Sequence, residues 1–138
     1  MKSKNQCVTY FAIVGGDFDP SEMTKRLTIE PDQCWKASDI RRDGEPYGFS
    51  YWECGRCEKY NVYAEKQMEK TIAKLTKKIK ILNDIRKDFD VEFRLQIVPE
   101  ITAGGINPCL APSMKVIDFC HDTRTNLDID LYVYSEKD

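Results

Sequence analysis

Residues 61–98 contain a change in the spacing of apolar side chains, from the period of a helix to the period of a strand. Apolar residues first recur every three or four positions, which predicts one amphipathic helix over residues 61–89. Over residues 91–98 they alternate with polar residues, which predicts a strand with one buried and one solvated face. Because that buried face needs a cover and the helix has a matching apolar stripe, the segment indicates a sheet with helices packed on one side.

The other elements follow from similar patterns on either side of this segment. Residues 7–14 read as an apolar, β-rich strand, and a helix over Pro20–Leu27 follows, with Asp19 in the N-cap position. A hairpin, a third helix and a last strand are predicted over residues 33–54, 112–121 and 127–134. The order β-α-β-β-α-β-α-β predicts an α+β fold: a mixed, mostly antiparallel sheet of about five strands with three helices on one face, ferredoxin-like in character.

The length of 138 residues suits a single domain, 1–138, whose ends at 1–6 and 135–138 we expect to be frayed. The N-terminus lacks the apolar segment of a signal peptide, and no apolar run reaches the length of a membrane span. We therefore expect a cytoplasmic protein without membrane association. In that compartment the six cysteines are expected to be reduced thiols rather than a disulfide framework.

Cys54 and Cys57 form a C-x-x-C pair, which has three interpretations. The pair supplies two ligands of a zinc site, but the sequence has no second C-x-x-C or C-x-x-H to complete it. A thiol–disulfide switch requires the first cysteine at a helix start, whereas here Glu58 and its neighbours intervene. We favour two ordinary thiols in a loop between a strand and a helix, and keep a zinc or thiol-redox protein centred on this pair as the alternative function.

Four aspartates offer a second candidate cation site, if the first and last strands are neighbours in the sheet. These residues are Asp17, Asp19, Asp128 and Asp130. The simpler interpretation is that Asp19 caps a helix, while Asp128 and Asp130 occupy the solvated positions of a half-exposed strand. We therefore expect no bound metal, no other cofactor and no catalytic residue, and we favour a protein that is not an enzyme.

The predicted long helix carries a row of lysines on its solvent side, at Lys66, Lys70, Lys74 and Lys78. Between residues 64 and 88 there are eight Lys or Arg against four Asp or Glu, although the formal net charge of the chain is −2. Stacking aromatic residues are missing from this helix and the isoelectric point is acidic, so we do not expect nucleic acid as a partner. The row is interpreted as a solvated face, and binding of an acidic protein partner is the alternative.

The solvated face of the predicted sheet is the main candidate for binding. If the helices lie on one side only, six residues gather on the other: Arg94, Asp128, Asp130, Tyr132, Tyr134 and Trp52. Tyr, Trp and Arg are the residue types that anchor protein interfaces, because they combine a large contact area with a polar tip. This face is predicted to bind another protein or to form the seam of a homodimer. Ordinary cross-strand pairing is the alternative.

A series of short motifs follows the chain, at Gly15, Asp17 to Pro20, Met23, Thr24, Ile29, Pro31, Trp35, Trp52 and Leu127 to Tyr132. In this order the motifs resemble a known family, the bacterial domain-of-unknown-function family 4279. The resemblance implies a small cytoplasmic α+β domain without assigned chemistry. It also implies, for some such domains, a role as an immunity protein against a toxin. The C-x-x-C pair is not part of the family pattern.

Overall fold

The structure is a computed structural model that describes residues 5–59, 64–105 and 109–135. Most of the residues predicted to be frayed, 1–4 and 136–138, lie outside these ranges. The elements in chain order are β1 (Gln6–Gly15), α1 (Pro20–Leu27), β2 (Gln33–Trp35), β3 (Ser50–Lys59), α2 (Ala64–Ile72), α3 (Ile79–Asp88), β4 (Val91–Thr102), α4 (Met114–Thr123), β5 (Asn126–Ile129) and β6 (Tyr132–Tyr134).

The strands form one mixed sheet in the order β2-β3-β1-β4-β5, with β6 also paired to β4. The pairs β2–β3, β3–β1 and β1–β4 are antiparallel, whereas β5 and β6 run parallel to β4. The order β2-β3-β1-β4 with antiparallel neighbours is the split βαβ arrangement of ferredoxin-like folds. A further crossover through α4 adds the parallel strands, and so the predicted α+β fold with a mostly antiparallel sheet is confirmed.

A single apolar core lies between the sheet and the helices. Odd-numbered residues of β1 and β4 share this core with side chains from all four helices, so the helices cover the same face. Phe11 lies at its centre, with ring centroids 5.5 Å from Phe93 and 6.1 Å from Phe119. None of the helices in the described ranges has both the length and the apolar character needed to cross a lipid bilayer.

The predicted helix over residues 61–89 is wrong, because the described part of this segment forms two helices. Between α2 and α3 the chain forms turns closed by hydrogen bonds between residues three apart. The Leu75 N–H donates to Ile72 O, and the Lys78 N–H donates to Leu75 O, each at 2.8 Å. Leu75 is nonetheless fully buried, so the apolar stripe continues through the turn. The described residues thus contain four helices instead of three, and the predicted lysine row is divided between α2 and the turn.

The predicted last strand is present but interrupted at Asp130 and Leu131. β5 and β6 keep the same register against β4, since Arg94 pairs with Asn126 and Glu100 with Tyr132. The interruption faces Pro99, which has no N–H to donate across the ladder. β5 and β6 are therefore two parts of one edge strand.

The C-x-x-C segment lies inside β3, and the predicted loop between strand and helix is wrong. Phe11 pairs with Cys54 and Thr9 with Cys57, so Tyr10 alone faces two residues of β3. This β-bulge has Gly55 at a φ of +69°, the left-handed conformation that glycine adopts most readily. The Thr71 hydroxyl of α2 donates to the Gly55 carbonyl at 2.7 Å. The bulge is thus a docking point for α2.

Gly55→Ala is expected to destabilise the protein more than Gly48→Ala does. Both glycines have positive φ, so alanine at either position costs about 1–2 kcal/mol in backbone strain. A Cβ at Gly55 would also lie 2.3 Å from Thr71 O, whereas a Cβ at Gly48 meets nothing within 4 Å. We expect an additional loss of about 1–3 kcal/mol for Gly55→Ala, measured by urea unfolding. Equal losses for the two variants would show that α2 does not pack on the bulge.

Candidate binding surface

The candidate site is the open face of the sheet, defined as the side opposite the four helices. Cross-strand pairing places Glu53, Ala12, Arg94 and Asn126 in one row across β3, β1, β4 and β5. Residues directly opposite one another in a sheet share a face, so these side chains all project to the open face.

Arg94 and Asp128, two of the predicted residues, line a shallow depression on this face. The depression has a volume of about 440 Å³ and is lined by Glu92, Arg94, Asn126, Leu127 and Asp128. Arg94 donates to Glu92 at 3.0 Å, and the Asn126 amide donates to the other oxygen of the same carboxylate at 2.7 Å. These two hydrogen bonds, with that of Arg94 the larger effect, lower the pKa of Glu92. The depression is thus built of fixed polar groups.

The tyrosines of β6 extend the open face toward the end of β4. The Tyr132 hydroxyl donates to Asp130 at 3.0 Å, and the Tyr134 hydroxyl donates to Glu100 at 3.2 Å. The hydrogen bond to the Asp130 carboxylate raises the pKa of Tyr132, because it favours the protonated phenol. Both tyrosines remain exposed. Five of the six predicted residues therefore share one face: Arg94, Asp128, Asp130, Tyr132 and Tyr134.

Trp52, the sixth predicted residue, was assigned to the wrong side of the sheet. It is fully buried in the core, and its indole N–H donates to the Thr24 hydroxyl of α1 at 3.0 Å. Trp52 pairs with Ile13, which faces the helices, so its neighbours in β3 face the other way. The register of the hairpin decides this orientation, and a short aromatic-rich strand does not reveal its register by itself.

An aromatic stack in the β2–β3 hairpin was missed at the sequence level. The Trp35 ring lies between two tyrosine rings, with centroid distances of 4.2 Å to Tyr47 and 4.3 Å to Tyr51. Phe49 meets the same indole edge-on at 5.7 Å. The density of aromatic residues between positions 35 and 52 was the available signal. Such stacked rings form a rigid apolar platform at one end of the open face.

Beside the stack, Glu53 is a carboxylate that is only 1% exposed. It accepts hydrogen bonds from the Tyr51 hydroxyl at 2.7 Å and from the Arg56 guanidinium at 3.1 Å. Arg56 in turn lies over the Tyr10 ring, 5.1 Å from its centroid. Burial, followed by the hydrogen bond to Glu53, raises the pKa of Tyr51 well above its usual value. This network holds charged and aromatic groups in fixed positions, an arrangement suited to recognition.

The two cysteines of the C-x-x-C pair occupy different environments. Cys54 belongs to the core, and burial raises its pKa to about 12, with smaller effects from Asp32 and Glu53. Cys57 is half-buried. Among the described residues, no group of three or more His, Cys, Asp or Glu is placed to hold a metal ion. Asp19, from the predicted aspartate group, accepts a hydrogen bond from the Ser21 N–H and caps α1.

Fold and surface together define a small α+β domain with a ferredoxin-like core, an added parallel edge strand and one sheet face that no helix covers within residues 5–59, 64–105 and 109–135. The chain belongs to the family described as Domain of unknown function (DUF4279), whose family model matches residues 5–134. No curated protein matches the chain, and no solved structure matches it.

The thiols are expected to differ in reactivity according to burial. Cys34 and Cys109 are exposed, and partial burial raises the pKa of Cys34. Deeper burial raises the pKa of Cys7 and Cys120 to about 11 and that of Cys54 to about 12. At pH 8 a thiol of pKa 12 has only about one thiolate in ten thousand, so it is nearly inert. A disulfide-exchange dye should label Cys34 and Cys109 fast in the native protein and all six thiols in urea. Cys34→Ser with Cys109→Ser should remove the fast phase; rapid labelling of Cys54 would contradict this assignment.

Proposed function

We propose that this protein is a non-enzymatic binding module whose open face holds a second protein with a basic surface. The observation that carries this proposal is the open face itself. It combines an aromatic platform, a fixed carboxylate–guanidinium network and exposed tyrosines on a sheet side that no helix covers in the described residues. A preorganised surface of this kind loses little conformational entropy on binding.

The residue types on this face support a protein partner. Tyr, Trp and Arg are enriched at the centres of protein interfaces, because they bury large areas while keeping a hydrogen-bonding tip. The open face supplies all three, in Trp35, Tyr51, Tyr132 and Arg94. Arg56 and Glu53 already pair with each other, so covering them does not leave an isolated buried charge.

The charge of the face supports a basic partner. Its carboxylates outnumber its guanidinium groups: Glu53, Glu58, Glu92, Glu100, Asp128 and Asp130 against Arg56 and Arg94. The basic residues of the chain concentrate instead on the helical side, between residues 64 and 88. Complementary charge steers a partner toward the correct face and disfavours phosphate-rich nucleic acid there.

More specifically, we propose an immunity-type role, in which the partner is a toxin whose active surface is basic. The acidic open face supports it, because such a face can cover a basic surface and exclude its substrate. We also propose a cytoplasmic location, which suits six free thiols.

The test first captures a partner with the wild-type protein. It then measures the affinity of open-face variants for that partner. Glu58→Lys with Glu92→Lys reverses two exposed charges on β3 and β4. We expect this variant to weaken the affinity at least about tenfold, because two attractive contacts become repulsive. The affinity of the wild-type protein should also fall as the salt concentration rises. Both effects are measured by titration calorimetry with the purified partner.

The matched control is Lys66→Glu with Lys70→Glu, which reverses two exposed charges on α2. This variant should bind the partner as the wild-type protein does. Loss of affinity in the α2 variant, with full affinity in the open-face variant, would assign binding to the helical side and overturn the proposal.

A further inference from the structure

The outer edge of the sheet, formed by β5 and β6 (residues 126–134), has no partner strand in the described part of the chain. The Asp130 N–H donates to Ile97 O and the Tyr134 carbonyl accepts from Ala103, so even-numbered residues direct their backbone groups inward. Because these groups alternate along a strand, the odd-numbered residues direct theirs away from the sheet. The outward residues are Leu127, Ile129, Leu131 and Val133.

This edge is short and interrupted, but it lacks other devices that protect sheet edges from pairing. Natural edge strands usually carry lysine, proline or a bulge, and residues 126–134 contain no lysine or proline. The side chains of the four outward residues are apolar and are 38%, 49%, 48% and 57% exposed. Within the part of the chain that the structure describes, the edge thus offers free backbone groups and an uncovered apolar stripe together. One more strand at this edge would hydrogen-bond to the backbone groups and cover the apolar stripe.

We propose that the outer edge pairs with the same edge of a second copy, antiparallel and with the two-fold axis at Leu131. This register places Ile129 opposite Val133 of the second copy and Leu131 opposite itself on the helical side. On the open face it places Asp130 opposite Tyr132 and Asp128 opposite Tyr134. Tyrosine hydroxyls donate to carboxylates, and Tyr132 and Asp130 already form such a bond within one chain. The strand is therefore complementary to itself.

The alternative registers are less favourable. An axis at Ile129 places Asp128 opposite Asp130, and an axis at Asp130 places that carboxylate opposite itself, so both oppose like charges. An axis at Tyr132 pairs Asp128 with a residue beyond the described strand and shortens the match. A second copy running antiparallel places its tyrosines opposite the aspartates of the first copy and its apolar residues opposite apolar residues. We therefore assign the edge to self-association. The resulting sheet is continuous across two copies, and this inference is independent of any partner on the open face.

The first test measures self-association by sedimentation velocity over a range of protein concentrations. We expect a reversible dimer in the wild-type protein. Ile129→Lys with Val133→Lys places lysines opposite each other twice, and should raise the dimer dissociation constant about tenfold or more. Ile129→Lys with Val133→Glu places opposite charges at the same positions and should restore the dimer. Ile40→Lys, on an equally apolar side chain that is 63% exposed in the hairpin loop, should leave the constant unchanged.

The second test identifies the register. In a background with Cys34→Ser and Cys109→Ser, Leu131→Cys should form an intermolecular disulfide under mild oxidation, because the two Cα atoms lie about 5.5 Å apart across the axis. Ile129→Cys, which does not face itself, should not. A protein that stays monomeric at every concentration overturns the proposal, as does a dimer unaffected by the two lysines or cross-linked at position 129 instead of 131.

Discussion

The contact between α2 and the β-bulge of β3 is the interaction on which the rest of the surface depends. The Thr71 hydroxyl donates to the Gly55 carbonyl, and the Gln67 amide donates to the carbonyls of Cys7 and Cys57 on either side. Of these three carbonyls, that of Gly55 belongs to the bulge and has no register partner in β1, whereas Cys7 and Cys57 stay paired with Lys59 and Thr9. The extra residue keeps Cys57 opposite Thr9 and sends Arg56 to the open face, where it reaches Glu53. A local packing contact on the helical side thereby sets the charges on the other side.

The sequence predicts the position and orientation of an element correctly where the residues of that element alone determine them. The alternation of β4 assigned Arg94 to the open face without reference to any neighbour, and the N-cap at Asp19 located α1 correctly. The prediction of one long helix was wrong because Leu75 stays buried in the turn between α2 and α3. The spacing of apolar residues therefore shows no break at the turn. Hydrophobic spacing reports burial, and it does not distinguish one helix from two that bury the same stripe.

The errors at the site concern relations between strands. Trp52 and Tyr51 are adjacent, and only the pairing of Trp52 with Ile13 decides which of the two is buried. The stack on Trp35 likewise requires the hairpin to bring Tyr47 and Tyr51 to opposite faces of one indole. The bulge at Gly55 depends on the approach of Thr71, a residue 16 positions away. Register and helix docking are tertiary properties, so the residue types predicted a hairpin but neither its register nor its aromatic stack.

The features proposed for recognition come both from the ferredoxin-like core and from the strand that the chain adds to it. Without the crossover through α4, β4 would be the edge of the sheet, and the depression beside Arg94 would lack Asn126 and Asp128. The added strand contributes these polar groups and both exposed tyrosines, and it replaces the long edge of β4 by a shorter one broken opposite Pro99. Because β4 is then bonded on both sides, it holds Arg94 and Glu92 rigidly between neighbours. The core therefore supplies the aromatic stack and the Glu53–Arg56 pair, and the added strand supplies Asn126 and Asp128 of the depression together with the two exposed tyrosines.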